Sequence, residues 1–180
     1  MAQIRIRNTN EIIAGEEKVR EFLNQYEVIY EHWGTNKLPQ ELADNFSLSD
    51  DQKSAILNIF QSEIQELASR RGYRTWDVIT LSEATPNIEE LLAKFEQIHT
   101  HTEDEIRVIV AGAGTFIIKG TPDTGYFDVN LEPGDLISVP ENTPHFFTLT
   151  DERKVIAVRL FVEENGWIAH PYEDQSFQKS

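Results

Sequence analysis

From residue 98 onward the chain breaks into short runs rich in β-branched and aromatic residues: "IRVIV", "TFIIK", "FDVNL", "DLISV", "HFFTL" and "VIAVRLF". Turn-forming stretches separate them: "AGAG", "GTPDTG", "EPGD", "PENTP" and "TDERK". Val, Ile and Phe suit a pleated surface, and Gly, Pro, Asn and Asp suit chain reversal, so this region predicts six or seven short strands joined by tight connections. Such a rhythm restricts the fold to an antiparallel sandwich or a small barrel.

Ahead of residue 95 the periodicity is mostly helical. "QIRIR", residues 3–7, alternates and predicts a short strand. Val19, Phe22, Leu23 and Tyr26 recur at helical spacing, which predicts an amphipathic helix over 15–26. Another helix begins at Ser49, which can form a capping box with Gln52. Its apolar face runs through Ile56, Leu57, Phe60, Ile64, Leu67 and Ala68, and Gly72 is placed to stop it. Thr85 and Pro86 precede a shorter helix, "NIEELLAKF". The expected architecture is mainly β with α, a single domain over 1–180: a helical N-terminal half (1–95), a β-barrel (96–170) and a flexible tail (171–180).

A chain of 180 residues with 39% hydrophobic side chains can bury a real core. Its 16 basic and 31 acidic residues give a net charge of -15, which repels nucleic-acid phosphates and anionic lipid and argues against both as partners. No cysteine is present, so disulfides and thiolate metal sites are excluded. "MAQIRIRNTNE" lacks the apolar run of a signal peptide and no stretch reaches membrane-spanning length, so cytoplasmic residence is expected.

The chemistry concentrates in "IHTHTEDEIRVIVAGAG", residues 98–114. His99 and His101 are two apart, and alternate side chains on a strand share a face. Glu105 and Arg107 keep the same parity, so an unbroken strand would aim all four to one side. A barrel can bring His145 from a distant strand to complete a shell of three imidazoles and one carboxylate. That donor set suits iron(II), nickel(II), manganese(II) or zinc, and on an octahedral ion it leaves two positions open. Of the other histidines, His32 and His170 have no partner pattern and read as surface or hydrogen-bonded residues. Asp104 could orient a ligating histidine or shuttle a proton. Arg107, if inward, would want an anion.

The residues also carry a family resemblance. "HTHTEDEIRVIVAG" resembles the first cupin motif, HxH-x3-E-x6-G, with Gly112 closing it. "GDLISVPENTPH" resembles the second, G-x5-P-x-G-x2-H, with Asn142 in place of the motif glycine and Leu149 where asparagine is common. The glycine expected before the first histidine is missing as well. A cupin-type, jelly-roll-like barrel is implied; a fold alone names no reaction. "HTHTEDEIRVIVAGAGTF", "VRLFVEENGWIAH" and "YEHWGTNKLP" together resemble the acireductone dioxygenase family across most of the chain.

That resemblance implies an enzyme of methionine salvage that cleaves acireductone, 1,2-dihydroxy-5-(methylthio)pent-1-en-3-one, with O2. It implies one Fe(II) or Ni(II) per chain on His99, His101, Glu105 and His145. Iron would give 4-methylthio-2-oxobutanoate and formate; nickel would give 3-methylthiopropionate, formate and carbon monoxide. Arg107, Arg159 and Asp104 are the expected catalytic side chains, and the two arginines with Phe95, Phe147 and Trp167 the expected substrate contacts. A monomer is expected. Two alternatives share the same ligands: another metal-dependent cupin oxygenase or isomerase, and a cupin that only binds a metal or small ligand.

Overall fold

A computed structural model of the protein describes residues 2–163 and 168–177. Twelve strands and five helices alternate along the described residues. The strands form two sheets that face each other, one of seven strands and one of five.

The seven-stranded sheet begins at one edge with β12 (His170–Pro171) and β5 (His99–Thr100). It continues through β10 (His145–Leu149), β7 (Gly114–Lys119), β8 (Tyr126–Leu131) and β1 (Gln3–Ile6) to β2 (Glu11–Ala14). The five-stranded sheet runs β3 (Ile29–His32), β9 (Asp135–Val139), β6 (Glu105–Gly112), β11 (Lys154–Phe161) and β4 (Thr75–Ser82). All pairings are antiparallel. Strand alternation then sorts the side chains. Phe116, Ile118, Phe127, Val129 and Phe147 from one sheet meet Ile109, Ile137, Val139, Val155 and Ala157 from the other in the central core. This is the expected cupin-type arrangement of two antiparallel sheets.

The outer face of the five-stranded sheet is apolar too, because helices cover it. Ile106, Val108, Val158 and Leu160 point outward onto α3 (Asp50–Ile59) and α4 (Gln61–Arg71), which contribute Ile56, Phe60, Ile64 and Leu67. The capping box forms as expected: Gln52 N–H donates to Ser49 Oγ at 3.2 Å, and Ser49 N–H to Gln52 Oε1 at 2.8 Å. The single expected helix is broken at Phe60, whose φ of -97° and ψ of 16° leave the helical region. Gly72 ends α4 in the left-handed conformation, φ 81°, as its position suggests. The remaining helices, α1 (Glu16–Asn24), α2 (Gln40–Ala43) and α5 (Ile88–Phe95), include two that pack on the central core through Val19, Leu23, Ile88 and Leu92.

Two expectations change. The N-terminal half carries all five helices, and it also supplies β1 to β4, so both sheets contain strands from it. The closing residues do not hang free as far as they are described. His170 and Pro171 pair with β5, Asp174 accepts from Tyr126 Oη at 2.9 Å, and Phe177 packs on Tyr126 and Phe146. Among the described residues, no helix is long and apolar enough to cross a membrane.

Gly112, the last residue of the first motif, has φ 74°, and a Cβ there would run into the backbone carbonyl of Lys154. Gly112→Ala is expected to cost about 2 kcal/mol or more through left-handed strain and this backbone clash. A fall in the urea midpoint of the metal-free protein measures it; an unchanged midpoint contradicts the assignment.

Candidate metal centre

Four ligating side chains converge between the two sheets. The ligand atoms of His99, His101, Glu105 and His145 all lie within 4.8 Å of one another. They do not arrive on one continuous strand. β5 ends at Thr100 in the seven-stranded sheet, and β6 starts at Glu105 in the five-stranded one, so residues 101–104 carry the chain from one sheet to the other. His99 is the direct cross-strand neighbour of His145. The shared inward direction therefore comes from a change of sheet, not from unbroken strand parity.

Each imidazole is fixed by a backbone carbonyl. His99 Nδ1–H donates to Gln97 O at 2.7 Å, His101 Nδ1–H to Ile168 O at 3.0 Å, and His145 Nδ1–H to Thr143 O at 2.7 Å. A neutral ring donating through Nδ1 carries its lone pair on Nε2, the ligating tautomer. Yet His145 Nε2 lies 2.9 Å and His101 Nε2 3.3 Å from the same Glu105 Oε2. Lone pairs facing lone pairs in a buried site need a cation, either a proton or a metal ion. Three imidazoles and one carboxylate with this tautomer arrangement fit a first-row divalent ion well.

The electrostatics of the metal-free site follow. Burial alone would raise the Glu105 carboxyl, but Arg107 and the two imidazoles hold it well below the usual carboxylate range. Burial pushes His99 down to about 4, helped by the neighbouring His145. His101 is also buried, but its contact with Glu105 outweighs that and raises it.

Arg107 sits beside this cluster, 3% exposed, at a position the sequence places inward. Its Nη2 donates to Glu105 Oε1 at 2.7 Å. Its Nε and Nη1 are buried and have no hydrogen-bond partner among the described residues. Phe147 and Phe116 face the guanidinium at 4.5 and 5.1 Å. Across the next two strands, Arg107 neighbours Arg159, and Arg159 neighbours Asp77. Arg159 donates to Asp77 through Nε at 2.9 Å and Nη2 at 2.6 Å.

A cavity of about 260 Å³ opens beside the ligands, and Arg107, Arg159, Phe95 and Phe147 all line it. Phe116, Phe161 and Leu91 line it too, beyond the residues the sequence singles out. Phe161 shares parity with Arg159, and Phe116 is the cross-strand partner of Phe147, so alternation could have found both. Asp77 gives no such signal, because its strand lies in a region that reads as helical. Trp167 lies outside the described residues.

Asp104 is the correction. Its carboxylate accepts from Tyr73 Oη, from Arg71 Nη2 at 2.8 Å and from Ser138 Oγ at 3.0 Å. Each ligating histidine takes a backbone carbonyl through Nδ1, so the orienting role expected of Asp104 falls to Gln97, Thr143 and Ile168. Asp104 is the last residue of the crossing, just before β6 begins at Glu105, and it turns away from the ligands onto α4 and β9. His32 makes a weak contact to buried Asp135 at 3.4 Å, and His170 is exposed in β12; neither joins the cluster.

The fold and the four convergent ligands define a metal-binding cupin. Residues 3–169 match the ARD/ARD′ family. The chain is 59% identical over 175 residues to the acireductone dioxygenase of Geobacillus kaustophilus, covering 97% of each protein. It is 51% identical over 179 residues to that of Bacillus velezensis, covering 99% of each. The solved acireductone dioxygenase from Bacillus anthracis, with a cadmium ion in its active centre, is 53% identical with a TM-score of 0.89, over 94% of this chain and 97% of that one. The chain belongs to the ARD/ARD′ family, that of the acireductone dioxygenases.

In the metal-free protein, two histidines only two residues apart should titrate in opposite directions from the ordinary 6.5. His99 should stay neutral down to about pH 4, and His101 should hold its proton above the ordinary range. His99 refuses a proton that the unfolded chain accepts, so its contribution to stability is present above pH 6.5 and is lost as pH falls toward 4. Imidazole NMR titration decides this; two rings titrating together near 6.5 would contradict the geometry.

Proposed function

We infer that the protein is an acireductone dioxygenase that cleaves its enediol-ketone substrate with O2. The observation that carries this reading is Arg107: a buried guanidinium with two nitrogens that have no hydrogen-bond partner among the described residues, on a residue that lines the cavity beside the metal ligands. Each orphaned buried donor costs about 1–3 kcal/mol, so the arrangement makes sense when an anionic oxygen arrives to accept. An ionised enediol supplies that charge.

A bound iron(II) or nickel(II) ion would supply a Lewis acid and a template for two adjacent substrate oxygens, and the family resemblance implies that its identity selects the products. The chain's own residues do the rest. His99, His101, Glu105 and His145 hold the ion, with the three histidines locked in the ligating tautomer by their carbonyl partners. Arg107 stabilises the ionised form of the substrate and stays charge-paired through Glu105. Phe95, Phe147, Phe116 and Phe161 give the cavity an apolar wall that suits a thioether tail and keeps water from a reactive enediolate. Arg159 lines the same cavity and is oriented by Asp77, which supports a substrate-facing role. The reading also makes the protein a monomeric cytoplasmic enzyme of methionine salvage, with no nucleic-acid or membrane partner.

The test is O2-dependent loss of acireductone enolate absorbance with protein reconstituted anaerobically with iron(II). The parent should be fast and His99→Ala slow for want of bound metal. Arg107→Ala should keep its metal and lose about a hundredfold or more in kcat/KM, the scale of two charge-assisted hydrogen bonds. A metal-loaded parent no faster than the uncatalysed reaction overturns the reading, and product analysis of iron- and nickel-loaded samples tests the dependence on metal.

A further inference from the structure

The segment that changes sheets, residues 101–104, sets the separation between His101 and Glu105, yet it has no strand pairing of its own. What holds it is a set of side-chain and backbone anchors. Asp104 accepts from Tyr73 Oη, Arg71 Nη2 and Ser138 Oγ. Those donors come from the connection after α4, from the end of α4 itself and from β9. On the other flank, Glu103 Oε1 accepts from the N–H of Val162 at 2.7 Å, and Oε2 from the N–H of Glu163 at 3.2 Å, just past the end of β11. The carbonyl of His101 accepts from Asn142 N–H at 2.9 Å. Of the three acids in "TEDE", only Glu105 faces the ligands; the other two tie the crossing to three separate strands or helices.

We propose that Asp104, buttressed by Tyr73 and Arg71, is a positioning residue that splints the sheet-to-sheet crossing and thereby fixes the His101–Glu105 geometry of the metal centre. Tyr73 is buried, so its hydroxyl is a preplaced donor and not a mobile surface group. Arg71 adds charge assistance on the same carboxylate oxygen, Oδ2, that Tyr73 and Ser138 use. A carboxylate so occupied anchors a loop; it is not poised to carry protons to a substrate. The proposal rests on the metal-site reading and not on the identity of the substrate.

The experiment compares the parent with D104A, D104N and Y73F, loaded with cobalt(II) as a spectroscopic probe. The side-chain amide of D104N keeps an acceptor oxygen for Tyr73 and Arg71, so D104N should restore most of what D104A loses. D104A should bind cobalt(II) on the order of tenfold or more weakly and show a shifted visible ligand-field spectrum, the scale seen when groups behind metal ligands are removed. Y73F should move both readouts in the same direction by less, and it tests the buttress even if D104A fails to fold in a metal-free thermal melt. Parent-like affinity and spectrum in Y73F and in folded D104A overturn the proposal. So does a metal-saturated D104N with a parent spectrum but lost turnover, because that outcome assigns Asp104 a proton-transfer role. Neither binding nor spectrum requires acireductone, so failure of the functional reading would leave these results intact.

Discussion

A carboxylate buried between two sheets needs cationic partners, and Glu105 organises the centre around that need. One oxygen faces the Nε2 atoms of His101 and His145, where a metal ion or a proton is called for, and the other accepts from Arg107. The cluster of candidate metal ligands and the buried Arg107 guanidinium are thus joined through a single side chain. The same demand fixes the architecture around it. His145 must come from the facing sheet, Arg107 must follow Glu105 by two residues on one strand, and the crossing before Glu105 must be held rigid. Burial makes each of these contacts stronger and makes the loss of any one more costly.

Much of this was legible because motif spacing and strand parity act at short range. The inward pairs His99 with His101 and Glu105 with Arg107 follow from spacing, and the capping box at Ser49 and the stop at Gly72 follow from local chemistry. Even the departure from the second motif has a local reason. Asn142 adopts φ 59°, a left-handed conformation that glycine takes freely and asparagine tolerates better than most residues.

What the sequence hid depends on partners distant along the chain. β4 contains a β-branched run, "TWDVITLS", but it lies among helices, and only its pairing with β11 makes it a sheet member. Asp77 was invisible for that reason, although it orients Arg159. The carbonyls of Gln97, Thr143 and Ile168 carry no side-chain signature at all. Asp104 differs for the opposite reason: a carboxylate beside a metal ligand looks functional in sequence, while the crossing between sheets turns it onto Tyr73 and Arg71.

The division of labour has a consequence for the chemistry. The histidine tautomers are set by backbone carbonyls, and the Glu105–Arg107 pair is set by neighbouring positions on one strand, so none of these depends on which divalent ion is present. The phenylalanine wall of the cavity, from α5, β7, β10 and β11, includes none of the metal ligands and has the same independence. A protein that fixes the donor set, the buried arginine and the apolar wall separately from the ion leaves only ion-dependent geometry to vary. A difference of products between metals would then reflect how the substrate oxygens are held, with every side chain in place.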